Sequence, residues 1–191
     1  GDNNKRLVLK MDVEGAEWDT LFHIPNPILD LFEQIVVEVH FFHSVMPDSI
    51  GINLSKSKID KKTTVIKKIN NSFYLYHVHA NNYNPLYYIG GFKLPNSMEL
   101  TFVNKKYFKS AEYSKAIFPT EIDQPCYKIR KDINLHFWPF YPGITQHISH
   151  IVTQKSLRGW REIIGLIYKL FITKWKSMLI KMKLRRPTSF S

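Results

Sequence analysis

An α/β fold is the class this 191-residue sequence predicts, and three observations carry that prediction. Apolar, β-branched runs of strand length alternate with segments of helical periodicity. Gly, Pro and Asn clusters punctuate the runs. Hydrophobic residues make up 44% of the chain and aromatics 14%, enough to fill a packed core. The order strand, helix, strand, helix, strand, loop, strand excludes a helical bundle and an all-β sandwich.

Residues 6–11 (Arg-Leu-Val-Leu-Lys-Met) predict a short strand that stops at Asp12. Gly15 allows a tight turn after it. Ala16 to Phe22 predict a short helix, and Pro27 suits the first turn of another that ends by Phe32. Residues 34–42 hold the clearest strand signal, a nearly continuous β-branched run of the kind found in sheets covered on both faces. Residues 44–55 predict a loop. Between Lys58 and Ile69, the residues Ile59, Val65, Ile66 and Ile69 lie among lysines, as on an amphipathic surface helix. Residues 73–80 form a further strand, broken by Asn81-Asn82-Tyr83-Asn84-Pro85. A loop with Gly90-Gly91 leads to a strand at 98–104. Residues 117–127 predict an ordered, Pro-flanked loop, and 132–138 a short edge strand.

Charge is concentrated at one end. Residues 1–150 hold 17 Lys/Arg and 15 Asp/Glu, whereas residues 151–191 hold 10 basic residues and one acid, Glu162. The +11 total is therefore largely a property of the tail, which removes the main support for a nucleic-acid partner. The single cysteine, Cys126, excludes an internal disulfide and a Cys-based zinc cage, and it suits a reducing compartment. The chain starts at Gly1, not Met, which suggests a partial reading frame. Residues 1–6 are polar, so no signal peptide is expected within this sequence, and a partial frame leaves an upstream one open.

Candidate chemistry lies where strands end. Asp12, Glu14 and Glu17 follow the first strand at a sheet's carboxyl edge, where open α/β folds bind ligands. The alternative is that Asp12 or Glu14 only caps the next helix. Glu38 and His40 share one face of the second strand, and His77 and His79 one face of the third, followed by Asn81 and Asn82. Polar groups in otherwise apolar strands are costly unless paired. Taken singly, each His suits a satisfied core position. Together, three strands ending in ionisable or amide groups suit a site that orients a hydroxyl, takes its proton, or binds a divalent metal. Metal candidates are Asp12, Glu38 and His79. Glu99, inside the last main strand, suits a hydrogen bond to loop amides or to substrate hydroxyls. Asp123 and Gln124 suit either a turn or a substrate contact.

These motifs resemble a known family. Leu9-Lys-Met-Asp-Val-Glu-Gly-Ala-Glu-Trp18 is similar to the hKhDhEGhE signature (h, hydrophobic) of FkbM-like methyltransferases. Ile35-Val-Val-Glu-Val-His40, His77-Val-His-Ala-Asn-Asn-Tyr83, Leu94-Pro with Glu99-Leu-Thr-Phe102, and Pro119-Thr-Glu-Ile-Asp-Gln-Pro125 follow in the family's order. The resemblance covers roughly residues 7–138. It implies the carboxyl-terminal half of a class I Rossmann-like methyltransferase sheet, with strands four to seven at 6–11, 34–42, 73–80 and 98–104. It also implies S-adenosylmethionine as methyl donor and a sugar or surface-polysaccharide hydroxyl as acceptor. Carried over, Asp12, Glu14 and His79 would be catalytic, with Asp12 or His79 as base. Glu38, His40, His77, Asn81, Asn82 and Glu99 would bind the acceptor. The glycine-rich loop and second-strand acid that grip the cofactor in that fold have no counterpart, since no G-x-G occurs. The strand at 6–11 is then expected to be an exposed edge, and this chain alone to bind S-adenosylmethionine weakly or not at all.

The expected organisation is a partial methyltransferase domain over 1–140, a linker over 141–156 and a basic amphipathic helical tail over 157–191. In the tail, Trp160, Ile163, Ile164, Ile167, Leu170, Phe171, Trp175, Met178 and Met182 are interleaved with Lys169, Lys174, Lys176, Lys181 and Lys183 in a pattern suited to an anionic membrane interface or to packing on its own domain or a partner. The interleaved charges exclude a membrane-spanning helix. A cytoplasmic protein, peripheral on the inner face of the membrane, is expected. The rival reading is a non-catalytic carbohydrate-binding or scaffold domain derived from the same fold. A nucleic-acid adaptor led by the tail ranks last, because it leaves the acidic and histidine motifs unexplained.

Overall fold

A computed structural model of the chain describes residues 6–40, 56–89, 92–109, 111–114, 116–137, 140 and 180–181. Strand β1 (Leu7–Met11) leads through a turn to helix α1 (Glu17–His23) and the single-turn helix α2 (Asn26–Leu29). Strand β2 (Phe32–Val39), helix α3 (Lys56–Ser72) and strand β3 (Phe73–Ala80) follow. A hairpin of β4 (Leu86–Ile89) and β5 (Phe92–Pro95) precedes β6 (Met98–Asn104). The short strands β7 (Glu112–Tyr113) and β8 (Ile180–Lys181) pair with each other.

The fold is mixed α/β around one four-stranded sheet, ordered β1-β2-β6-β3. β1 and β2 are parallel, and β6 runs antiparallel between β2 and β3. All four main strands stand where the sequence predicts them, within two or three residues. The periodicity of α3 also holds: Val65 and Ile69 are buried against the sheet.

Four expectations need correction. The first concerns β2, which is covered fully on one face only. Its burial alternates: Ile35, Val37 and Val39 are at most 1% exposed, while Gln34, Val36 and Glu38 are half-buried. A β-branched run marks strand propensity on both faces, but burial follows whatever packs above each face. Second, Leu86–Ile89 and Phe92–Pro95, flanking Gly90-Gly91, pair antiparallel where the sequence predicts loop. Two glycines between Leu-Tyr-Tyr-Ile and Phe-Lys-Leu are a hairpin signal in their own right. Third, residues 132–137 form no strand; the Leu135 N–H bonds the Phe118 carbonyl at 2.8 Å within an irregular segment. Fourth, Ile180 and Lys181 run as a strand where the tail predicts helix. The rest of the linker and tail lies outside the described residues.

The core lies between one sheet face and the helices. Met11, Ile35, Val37, Leu75, Val78, Leu100 and Phe102 meet Trp18, Leu21, Leu29, Val65 and Ile69 there. β1 is an edge strand in this sheet, with Leu7 43% and Val8 58% exposed. Lys68 ties α3 to the end of α1: its Nζ donates to the carbonyls of Leu21 and Phe22 at 3.0 Å, and to that of Ile24. Carbonyls left open at a helix end gain most from such a cationic donor.

The turn after β1 is built around a buried carboxylate. Glu14 (φ 51°) and Gly15 (φ 108°) are both left-handed, which reverses the chain into α1. Glu17, with no exposed surface, then accepts from the Gly15 N–H at 2.7 Å and from the His40 N–H at 2.6 Å. Its neighbour Trp18 donates its indole N–H to the His40 carbonyl at 2.8 Å. Two consecutive residues of α1 therefore bind both backbone groups of the residue that follows β2.

Glu17→Gln keeps one accepting oxygen but turns an amide NH2 toward a backbone N–H. A loss of about 2–4 kcal/mol is expected in urea-induced unfolding. An unchanged midpoint and slope would mean that the carboxylate does not hold the turn.

Candidate functional site

Strand register gathers the predicted residues. Glu38 of β2 lies opposite Glu99 of β6, and Glu99 lies opposite His79 of β3. Met11 pairs with Val37, so Asp12, the next residue, comes level with Glu38. Asp12, Glu38, Glu99 and His79 thus form one row across all four strands, on the face away from the helices. At about 4.8 Å per strand, the row spans roughly 14 Å. It lies at the carboxyl ends of β1, β2 and β3, the ligand edge of an open sheet.

One end of the row is anionic. The His40 ring is buried, and its Nε2 lies 3.4 Å from Glu38, 3.5 Å from Glu14 and 3.8 Å from Asp12. Its Nδ1 lies 3.4 Å from Glu17. Neither Asp12 nor Glu14 caps the helix: the cap position is Ala16, without a side-chain bond, so that alternative falls away. Burial raises the Glu38 carboxyl above its ordinary range, although the Asn81 amide, donating to it at 2.7 Å, pulls the other way.

The other end is a clamp. His79, 3% exposed, donates through Nδ1 to Glu99 at 2.9 Å and through Nε2 to Asp132 at 2.8 Å. The Glu99 bond above all, reinforced by Asp132, outweighs burial and raises the imidazole pKa to about 9. The same contact holds the Glu99 carboxyl below its ordinary range. With both nitrogens donating, His79 has no lone pair for a substrate proton. It is shaped to hold charge and position rather than to act as base.

His77 and Asn82 extend the clamp. His77 Nε2 donates to Asp123 at 2.7 Å, and its ring meets Phe118 edge-on. Burial alone would raise the Asp123 carboxyl, but donors from the Thr120 backbone and hydroxyl and from His77 hold it below its ordinary range. Asn82 is buried. Its amide donates to the carbonyls of Tyr127 (3.0 Å) and Arg130 (3.1 Å), and its oxygen accepts from the Tyr127 N–H at 2.7 Å. Residues 118–132 are thereby stapled over the β3 side of the polar face. The β1 side stays open, with Val8 and Asp12 exposed.

The sequence-predicted residues therefore divide. Asp12, Glu14, Glu38 and His40 converge, with Asn81 on Glu38. His79 and Glu99 form a separate pair, and His77 and Asn82 hold the loop. The metal trio expected from sequence does not assemble: Asp12 and Glu38 meet His40, not His79. Glu17, singled out from sequence with Asp12 and Glu14, is buried and bonded to backbone N–H groups rather than facing the mouth. Sequence reasoning does not reach Asp132, because its partner lies 53 residues away.

The raised pKa of His79 sets a pH dependence. The clamp's contribution to stability is complete below the ordinary histidine value near 6.5 and is lost as pH rises through about 9. Thermal unfolding should show that decline in the wild-type chain and a smaller one in Glu99→Gln. Direct NMR titration of the His79 ring near 6.5 in the wild type would remove the clamp.

No protein-family model matches the chain, and no curated protein or solved structure matches it either.

Proposed function

We propose that this chain supplies the acceptor side of an S-adenosylmethionine-dependent O-methyltransferase acting on a sugar or surface-polysaccharide hydroxyl. The observation that carries the proposal is the row Asp12–Glu38–Glu99–His79 across the ligand edge of one contiguous four-stranded sheet. Contiguity of these strands is what the FkbM-like resemblance implies for strands four to seven, and the class I assignment rests on that agreement. The residues of this chain do not fit the cofactor: no G-x-G loop is present to hold it, and no residue is assigned to it.

What the residues do is confined to the acceptor. A sugar hydroxyl must lose its proton as the oxygen gains its methyl, and a carboxylate within hydrogen-bond reach can take it. Asp12 and Glu14, half or more exposed at the mouth, are the acceptors of that proton. The base role passes to them from His79, whose nitrogens are both committed. His79 fixes Glu99, whose 45% side-chain exposure lets it accept from neighbouring hydroxyls of the same saccharide.

Calorimetry and NMR with the 191-residue chain test this. Saccharides should shift the His40 and His79 resonances, and Glu14→Gln should weaken the effect several-fold. S-adenosylmethionine should give no micromolar binding. A saccharide panel without effect would remove the acceptor assignment, and micromolar cofactor binding would overturn the missing grip. Saccharide binding without methyl transfer, once a cofactor-binding partner half is supplied, would favour the carbohydrate-binding alternative.

A second part of the proposal is peripheral attachment to an anionic membrane on the cytoplasmic side through residues 157–186. Among the described residues, no helix is long and apolar enough to cross a membrane. Cosedimentation with phosphatidylserine vesicles should fall several-fold when Lys174 and Lys176 are changed to Glu. Equal recovery of both proteins would end the idea.

A further inference from the structure

Asp12, Glu38 and His40 meet where the parallel strands β1 and β2 end side by side. One ligand-capable atom from each lies within 4.8 Å of the others. Around an octahedral ion with bonds of about 2.1 Å, adjacent ligand atoms stand ~3.0 Å apart and opposite ones ~4.2 Å. The observed 3.4 Å and 3.8 Å from His40 Nε2 to Glu38 and Asp12 are close to that spacing. Inward shifts of roughly half an ångström would close the three on one centre.

The surroundings orient these groups as ligands. Glu17, fixed by two backbone N–H groups, sits 3.4 Å from His40 Nδ1. A carboxylate there favours the tautomer with its proton on Nδ1 and turns the Nε2 lone pair toward Asp12 and Glu38. Asn81 holds the Glu38 carboxylate by a 2.7 Å bond, the kind of second-layer contact that fixes a ligating acid. The ring and Glu38 are nearly buried, with side chains 9% and 12% exposed, while Asp12 is 50% exposed. Two ligands are therefore rigid and one faces solvent, leaving coordination positions for water or a hydroxyl.

Charge points the same way. Asp12, Glu14, Glu17 and Glu38 surround one imidazole, and the ion pairs these four acids make among the described residues all go to His40. Even a protonated ring would balance one of four negative charges. The second group of matching spacing, His79, Glu99 and Cys126, is less suited to a metal. Both His79 nitrogens are bonded to carboxylates, and burial, with nearby acids, pushes the Cys126 thiol up to about 11.

We propose that Asp12, Glu38 and His40 form a binding site for a divalent cation of the Mn2+ class, open to water on the Asp12 side. One imidazole beside two carboxylates suits such an ion better than an all-oxygen cage for calcium. Glu14, 3.5 Å from the ring and 82% exposed, stays outside the trio. The site stands whether or not the chain takes part in methyl transfer, and ion binding can be read without any catalytic assay.

Titrating the full chain with Mn2+ and following the free-ion electron paramagnetic resonance signal is the direct test. The wild type should take up a single equivalent. Asp12→Asn, a change at a half-exposed side chain, should bind at least about tenfold more weakly with little change in thermal midpoint. Glu38→Gln should lose binding to a similar degree, while Glu99→Gln should bind like the wild type. The site is refuted if the wild type takes up no Mn2+, if Asp12→Asn and Glu38→Gln both bind normally, or if the loss follows Glu99→Gln instead.

Discussion

The buried carboxylate of Glu17 is the constraint on which the site depends. A fully buried acid is costly unless its oxygens are satisfied. Here both oxygens accept from backbone N–H groups, one in the turn after β1 and one at the residue after β2. The parallel strands pair only through Met11 and Val37 at this end. Beyond that point, among the described residues, no ladder joins the two segments, and Glu17 with Trp18 takes over. Asp12, Glu14 and His40 all lie on the segments so joined. Their convergence therefore depends on a side chain that need not touch a ligand.

A second constraint is the asymmetry of the sheet. Helices α1 and α3 cover one face, and its alternate residues are apolar and buried. The other face is shared between a loop and solvent. Over β3 and β6, the loop is held by His77, His79 and Asn82 through bonds to Asp123, Asp132 and the backbone near Tyr127. Over β1 the face is open, with Val8 and Asp12 exposed. The row of ionisable groups runs from the open half into the covered half, so the same kinds of residue meet different surroundings. Near Asp12 four carboxylates surround one imidazole. Near His79 two carboxylates share one imidazolium, and both of its N–H groups are used.

The main elements were legible because their signals are local. Strands at 73–80 and 98–104 match residue for residue, and α3 follows from the spacing of Val65, Ile66 and Ile69. Asp12, Glu38 and His40 were legible as candidates because polar residues at the ends of apolar strands need a reason to be there. Their grouping was not legible. It depends on β6 inserting antiparallel between β2 and β3, a pairing across more than 50 residues that puts Glu99 between Glu38 and His79. For the same reason Asp132 was invisible, and His79 looked like a free base when it is a doubly bonded cation. The β4–β5 hairpin differs: its Gly-Gly signal is local, lying between two short apolar runs.

The two ends of the row suit different tasks, and their electrostatics say which. A group that moves protons or holds an exchangeable ion needs lone pairs that are not already committed. His79 has none, and its strong bonds to Glu99 and Asp132 make it a fixed part of the frame. Asp12, Glu14 and Glu38 keep acceptor capacity, and their carboxylates crowd around the one ring of His40. Any ligand that brings positive charge or donor hydrogens to this mouth suits these acceptors. A saccharide offers hydroxyl donors and a metal offers charge, and the two are compatible, because a cation held by Asp12, Glu38 and His40 would leave coordination positions facing the open side. On the proposed function, the chemistry would therefore belong at the β1–β2 end, with the fixed His79 end as the boundary against which a ligand would be positioned.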